Sequence, residues 1–371
     1  MKVVITGATG NVGTSVLALL ASDVRVSEIV GLSRRLPRSA FTKTRFVSAD
    51  VSRDQLEPSF EGASAVIHLA WRIRSSHSAE ELERTNVEGS RRVFRAAANA
   101  GVPVLIHASS VGAYSRADKT QHHDEAWPTG GIPSSTYSRQ KARVERLLDE
   151  FEAQHPGIRT LRFRPALIFK RAAATHIREL FFGSLVPRFA FEPRRLHWMI
   201  DHPSFRFQAV HAADVADAFR LGLFSSASGA FNLAADPVLD SELLANTFGA
   251  RKVKLSPGAL RAVVATAFKL HLEPAEPGWV DLCFQSPLLD CSRARNVLGW
   301  QPQHSAVQAL LELLEGLRDG ASFDTPPLSR DGQEPAPPPA SSPPSARGAA
   351  PTSERRLRKA HFIPPLAGGM E

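Results

Sequence analysis

Tyr137 and Lys141, in the run Tyr137-Ser138-Arg139-Gln140-Lys141, stand four residues apart. On a helix that spacing puts both side chains on one face. A free tyrosine titrates near ~10 and is a poor acid or base at neutral pH. A neighbouring ammonium favours the phenolate and pulls that value down. Such a pair can exchange a proton with a substrate hydroxyl or carbonyl. The spacing alone is common on solvated helices, so its weight comes from order along the chain. A glycine turn comes first, Ser109-Ser110 follow a strand, and the tyrosine and lysine come next.

These side chains need elements to position them. Val144, Leu147, Leu148 and Phe151 recur at helical spacing with charges on the other side, which predicts a helix over about 135–154. Ser110 lies just past a fifth strand, residues 102–108, where its hydroxyl can bond the reacting oxygen. The chain opens on KVVITGATGNVGT. Residues 2–6 read as a buried strand, Gly7, Gly10 and Gly13 as a turn, and Val12, Val16, Leu17 and Leu20 as the apolar stripe of a helix. Glycines at these intervals let a phosphate approach the helix N-terminus, where free N–H groups and the dipole favour negative charge. A dinucleotide is the ligand this implies, and a bound nicotinamide would place hydride chemistry beside Tyr137. Lys141 could also hold the nicotinamide ribose. A nucleotide-kinase loop is excluded, because Thr14 stands where that loop needs lysine directly after its last glycine.

A second strand over 28–32 ends at Ser33-Arg34-Arg35. An acid at this distance from the glycines would hold the adenosine ribose hydroxyls of NAD. Serine and two arginines suit a 2′-phosphate instead, so NADP is expected to be preferred over NAD. Asp50, at the end of a third strand over 46–49, could accept from the adenine amino group or cap a helix beginning near Ser52. A fourth strand over 65–70 runs into a small-residue turn suited to backbone contact with a cofactor, and His68 on it is taken as packed. A long helix over about 79–100 carries Asn86, an amide that is either structural or orients something near the site. The repeated β-α-β rhythm implies an α/β fold with a parallel, doubly wound sheet.

The sequence resembles the extended branch of the short-chain dehydrogenase/reductase superfamily, the NAD(P)-dependent epimerases, dehydratases and reductases. The match is carried by TGATGNVG at 6–13, Asp50-Val51, HLAW at 68–71, TNVEGS around Asn86, SSVGAY at 109–114 and YSRQK at 137–141. Arg164-Pro165-Ala166, QAVHAADVADA at 208–218 and LGWQP at 298–302 extend it to about residue 320. The resemblance implies a catalytic set of Ser110, Tyr137 and Lys141, with Asn86 in support. It implies cofactor contacts from Gly7, Thr9, Gly10, Asn11, Val12 and Gly13 of the loop and from Ser33, Arg34 and Arg35 after the second strand. Asp50, Val51, Leu69, Ala70, Trp71, Tyr137 and Lys141 would complete them. Two positions depart from the family pattern: Ser115 replaces a glycine, and the acid after the second strand is missing.

The expected organisation is a Rossmann-type NAD(P)-binding domain over 1–165, to which 207–225 returns with a strand at 207–210. A smaller substrate domain is expected from 166–206 and 226–320. From 322 to 371 the chain turns Pro-rich and is expected to be disordered, its basic run Arg355–Lys359 being solvated tail or a docking patch. The mixture of Phe181, Phe182, Phe189, Phe191 and Trp198 with arginines over 168–203 would suit a substrate with an anionic or planar part, or simply a packed subdomain.

With 371 residues, 43% of them apolar, the chain can bury one large or two ordinary cores. The net charge of +8 is spread over scattered arginines without interleaved aromatics, so a nucleic-acid binder is not expected. No apolar run approaches a membrane span. The first strand begins at once, leaving no room for a signal peptide, so a cytoplasmic protein is expected. Cys283 and Cys291 are not in a metal-ligand spacing, so neither metal nor disulfide is expected. The partner expected is a small-molecule substrate, and the resemblance allows a homodimer. Oxidation or reduction of a secondary alcohol/ketone pair, alone or as the first half of an epimerisation, is the leading reading. A non-catalytic NADP-sensing regulator, or a scaffold on the same fold, is the alternative.

Overall fold

The computed structural model describes residues 1–73, 79–183, 186–270 and 275–329. Six of the expected strands are present: β1 (Lys2–Thr6), β2 (Glu28–Ser33), β3 (Thr44–Ser48), β4 (Ala65–His68), β5 (Val104–Ala108) and β6 (Arg159–Pro165). Straight after Pro165 the chain leaves this sheet. It forms β7 (Leu167–Phe169) and then β8 (Arg206–His211), which pairs parallel with β7. β9 (Gly229–Leu233) returns to pair with β6, and β10 (Ala235–Asp240) then runs antiparallel to β8. The main sheet is therefore seven-stranded and parallel, ordered β3-β2-β1-β4-β5-β6-β9.

This corrects one expectation. The strand at 207–210 belongs to the small three-stranded sheet, and the seventh strand of the main sheet is β9. An apolar run specifies a strand but not its neighbour. Here the neighbour is set by β7, which carries the chain off the main sheet.

A helical layer covers each face, and for that reason the central strands are apolar on both sides. On one face, α1 (Asn11–Ser22) contributes Val16, Leu17 and Leu20 to a cluster with Phe219 and Leu223 from a helix further along the chain. On the other, Val93, Phe94 and Ala97 of α2 (Gly89–Asn99) meet Val144, Leu148 and Phe151 of α3 (Thr136–Gln154). The expected helix over 79–100 is interrupted. A helical turn Ala79–Glu83 and a π-type turn Arg84–Glu88 precede α2, and such a bulge often marks a functional position. The helix expected from Ser52 starts only at Glu57, because the Asp50 carboxylate accepts from Ser52 N at 3.0 Å and Ser52 Oγ at 2.7 Å, making a turn instead.

The smaller sheet buries Ala209, Ala235 and Leu239 against Leu310, Leu311 and Leu314 further along the chain, and α4 (Ala174–Phe181) follows β7. α5 (Ala212–Phe224) is the helix that supplies Phe219 and Leu223, and by it 207–225 does reach the main domain. α6 (Gly278–Gln285) and α7 (Ala306–Asp319) follow. Trp300 of the LGWQP run is fully buried and donates from Nε1 to Asp214 O at 2.8 Å, tying the C-terminal segment to α5.

The composition shift at Ser322 does not coincide with the end of packing. Thr325 and Leu328 are buried, Phe323 lies against Phe41, and Thr325 Oγ1 donates to Thr9 O at 2.8 Å. One phenylalanine and one leucine anchor this stretch along the glycine loop. Residues 330–371, with the Pro-rich and basic runs, lie outside the described residues. Among the described residues no helix is long and apolar enough to cross a membrane.

Candidate functional site

The glycine loop closes against the end of β4. Gly7 adopts φ +71°, and a Cβ there would lie 2.6 Å from Ala70 N, so only glycine fits. A Cβ on Gly13 would strike the Gly7 and Ala8 carbonyls. α1 has Gly10 at its N-cap with no side-chain cap and no acid in its first turn, leaving its first N–H groups for an anion. The Asn11 carboxamide donates to Ile168 O at 3.3 Å, and its Oδ1 is buried without a partner among the described residues. This loop fits a dinucleotide pyrophosphate.

Lys170, just past β7, was not singled out in the sequence. Its Nζ donates to Asn11 O and to Thr14 Oγ1, both at 2.6 Å. Burial pushes this ammonium down to about 8, with Glu312 opposing. A cation beside a helix N-terminus is disfavoured by the dipole, and a bound phosphate would reverse that sign. The signal available in sequence was only a lysine after an apolar strand, which ordinarily reads as a solvated end.

At the adenosine end, Ser33 is buried and donates from Oγ to Arg35 O at 2.8 Å, while Arg34 is exposed beside it. Asp50 is half-buried at the end of β3. Burial raises its carboxyl, but the bonds from Ser52 and the charges of Arg34 and Arg53 outweigh that and leave it below the usual value. One Asp50 oxygen is therefore committed to the turn. Val51 is buried beneath α2, close to Gly89.

Ser110, Tyr137 and Lys141 meet at the C-terminal edge of β5. Ser135 caps α3 by accepting from Ser138 N at 3.3 Å, and Ser138 Oγ donates to Gly112 O at 2.6 Å. The Tyr137 ring lies on Gly112, where a Cβ would sit 2.7 Å from Cε1. Lys141 Nζ donates to Ala108 O at 2.8 Å and lies 3.5 Å from the centre of the Trp71 ring, a cation–π contact. Burial pushes the Tyr137 phenol up to about 12, opposed by a hydrogen bond with Ser110. Burial pushes Lys141 down to about 7, opposed by Glu145. The expected lowering of the phenol by the ammonium is thus absent from this arrangement: Lys141 Nζ is 5.9 Å from the Tyr137 ring centre and is spent on Ala108 and Trp71. A raised value leaves the phenol with its proton at neutral pH, as in a free tyrosine. Tyr114, the other tyrosine, is buried, with its hydroxyl between Asn232 and Arg164 and its pKa driven far up by burial.

Asn86 resolves into a positioning role. Its Oδ1 accepts from Arg72 N at 2.7 Å, and its Nδ2 donates to Arg72 O at 3.0 Å and Gln140 Oε1 at 2.9 Å. It therefore clamps the loop carrying Trp71 to α3. Glu145, one turn beyond Lys141, was also missed in the sequence. Its carboxylate accepts from Arg164 Nε and Nη2, both at 2.9 Å, from Arg162 Nη1 at 2.9 Å, and from Ser109 Oγ. Burial raises it, but Arg164 and Arg162 more than offset this and hold it down at about 2. Its signal was a charge on the apolar face of α3, four residues after Lys141. Ser115, where the family has glycine, accepts from Gly130 N at 3.0 Å.

The sequence matches the NAD dependent epimerase/dehydratase family over residues 3–234, and the chain belongs to that family. It is 31% identical over 166 residues to an NAD-dependent glucose-6-phosphate dehydrogenase of Haloferax volcanii, covering 41% of this chain and 63% of that one. It is 24% identical over 223 residues to a 4-hydroxy-2-methyl-3-oxo-4-farnesyl-3,4-dihydroquinoline-1-oxide ketoreductase of Stigmatella aurantiaca, covering 60% and 64%. The matches thus span just under two thirds of these curated relatives. Among solved structures, MoeE5 in complex with UDP-glucuronic acid and NAD superposes with a TM-score of 0.63 at 21% identity, covering 86% of this chain and 100% of that one. At that identity the likeness shows the fold.

Proposed function

We propose that this protein is an NAD(P)-dependent oxidoreductase acting on a secondary alcohol/ketone pair, with Tyr137 as the group that moves the proton. The observation that carries the reading is the Tyr137 phenol against Ser110, with Lys141 on the same helix face anchored to Ala108 O. The bound dinucleotide would supply or receive the hydride. In reduction the Tyr137 O–H gives its proton to the carbonyl oxygen as the carbonyl carbon takes the hydride, and an alcohol leaves. Ser110 would orient that oxygen, and Lys141 would hold the nicotinamide ribose. The same site run in reverse and then forward, with the ketone turned over in between, would be an epimerase. The two relatives are by name a dehydrogenase and a ketoreductase, which supports redox chemistry.

NADP is the proposed preference. Ser33 presents no carboxylate to repel a 2′-phosphate, and Arg34 is exposed at that edge. The test uses the full chain with NADPH or NADH and a panel of ketones, following absorbance of the reduced cofactor. Tyr137→Phe is expected to lower turnover by about two to four orders of magnitude with cofactor affinity intact. Full activity in that variant would end the acid/base reading, and tighter binding of NADH than NADPH would end the cofactor preference.

A further inference from the structure

Tyr137 is boxed by rings. Trp71 meets it edge-on at 6.0 Å and 77°, and Trp279 lies along its other side at 5.0 Å and 34°. Phe181, on α4, meets Trp279 edge-on at 5.0 Å and 83°. All four rings are partly exposed. An aromatic side chain buried on one face and open on the other offers a flat apolar surface, and rings stack on it with a preferred offset geometry.

The position of Trp279 is built, not incidental. It is the second residue of α6, and Gly278 before it lets the helix approach the start of α3 so closely that a Cβ would lie 2.6 Å from Ser134 O. Glu276 Oε1 accepts from Thr136 N at 3.2 Å, fastening the same junction. Backbone contact and a carboxylate thus set one indole beside the phenol.

Three guanidiniums between residues 171 and 206 already have partners within the chain. Arg171 pairs with Asp319 at 2.6 Å, Arg178 donates to Val186 O at 2.9 Å, and Arg206 donates to Lys119 O at 2.7 Å. A nucleotide-linked substrate needs cationic or N–H partners for its phosphates, and each of these three guanidiniums already holds one acceptor. Partly exposed aromatic surface stands at the phenol, while each of these three guanidiniums already has a partner within the chain.

We propose that the Tyr137 site takes a neutral, planar aromatic ketone, its ring system stacked on Trp279 with the edge of Phe181 beside it, in preference to a nucleotide-linked sugar. The inference rests on Tyr137 being the group that meets the carbonyl, and it specifies the substrate class for that reaction.

The test measures binding and turnover separately, on the full chain saturated with NADP or NADPH. Equilibrium binding of 2-acetonaphthone and of UDP-glucose is read by calorimetry with NADP, where the ketone has no hydride to receive. Wild type is expected to bind the naphthyl ketone at least about tenfold more tightly. Trp279→Ala should weaken that ketone about tenfold, and Trp279→Phe, which keeps a ring, should recover most of the loss. Cofactor affinity in both variants reports that the fold is retained. Tighter binding of UDP-glucose, or unchanged ketone affinity in a folded Trp279→Ala protein, overturns the inference. Tyr137→Phe separates the two readings: it keeps ketone affinity if the stacking surface is right, whereas its turnover with NADPH bears only on the acid.

Discussion

The two walls that meet at Tyr137 are held by different forces. On the α3 side, Lys141, Glu145 and Asn86 are buried, and their polar atoms are matched to Ala108 O, to Arg162 and Arg164, and to Arg72 and Gln140. On the α6 side, Trp279 and Phe181 are partly exposed and are placed by ring contacts and by the close approach at Gly278. Buried hydrogen-bonded groups are costly to leave unpaired, so the first wall holds one geometry. Ring contacts are weaker than these bonds, so the second wall is held less firmly around its fixed point at Gly278. The proposed proton donor stands on the first, rigid wall, and the proposed ring contact belongs to the second, adaptable one.

The largest effect should come from breaking the rigid wall. Glu145→Ala leaves Arg162 and Arg164 buried without their shared carboxylate, and breaking a buried pair costs about 3–5 kcal/mol. Urea unfolding should show that loss together with reduced turnover. A change below about 1 kcal/mol would mean that α3 is not fastened in this way.

A smaller effect is expected on the adaptable wall. Gly278→Ala introduces a Cβ against Ser134 O and Ser135 Cα, an overpacking of about 1–3 kcal/mol. Because it moves Trp279 and not Lys141, KM for an aromatic ketone should rise more than kcat falls. Equal losses in both would erase the distinction between the walls.

The rigid wall should also show a pH dependence. Lys141 titrates at about 7 in the folded protein, below its ordinary 10.5, because burial penalises the charge. Between those values the unfolded chain binds more protons at this site than the folded one, so the site's contribution to stability rises with pH over that window. The stability of wild type relative to Lys141→Met should therefore increase from pH 7 to pH 10. A flat difference would place the Lys141 ammonium in solvent.

Much of the site was legible because it depends on local chemistry. Gly7 and Gly13 have to be glycine to let the loop close on Ala70, and Tyr137 and Lys141 share a face by helical geometry, so spacing exposes both features. Glu145 and Lys170 were not legible, since their partners lie 17 to 36 and 155 to 159 residues away in the chain. The neighbour of the strand at 206–211 was hidden for a related reason: apolar alternation marks a strand and is silent on which edge receives it.

The sequence by itself determined the α/β class, the dinucleotide loop and the tyrosine–lysine pair, because each follows from backbone freedom or periodicity within a few residues. Only the tertiary structure decided that burial raises the phenol's pKa, that the lysine rests on Trp71, and that Trp279 comes from 142 positions downstream to face Tyr137. Burial and contact between distant segments set those outcomes, and neither is encoded in any single stretch of the chain.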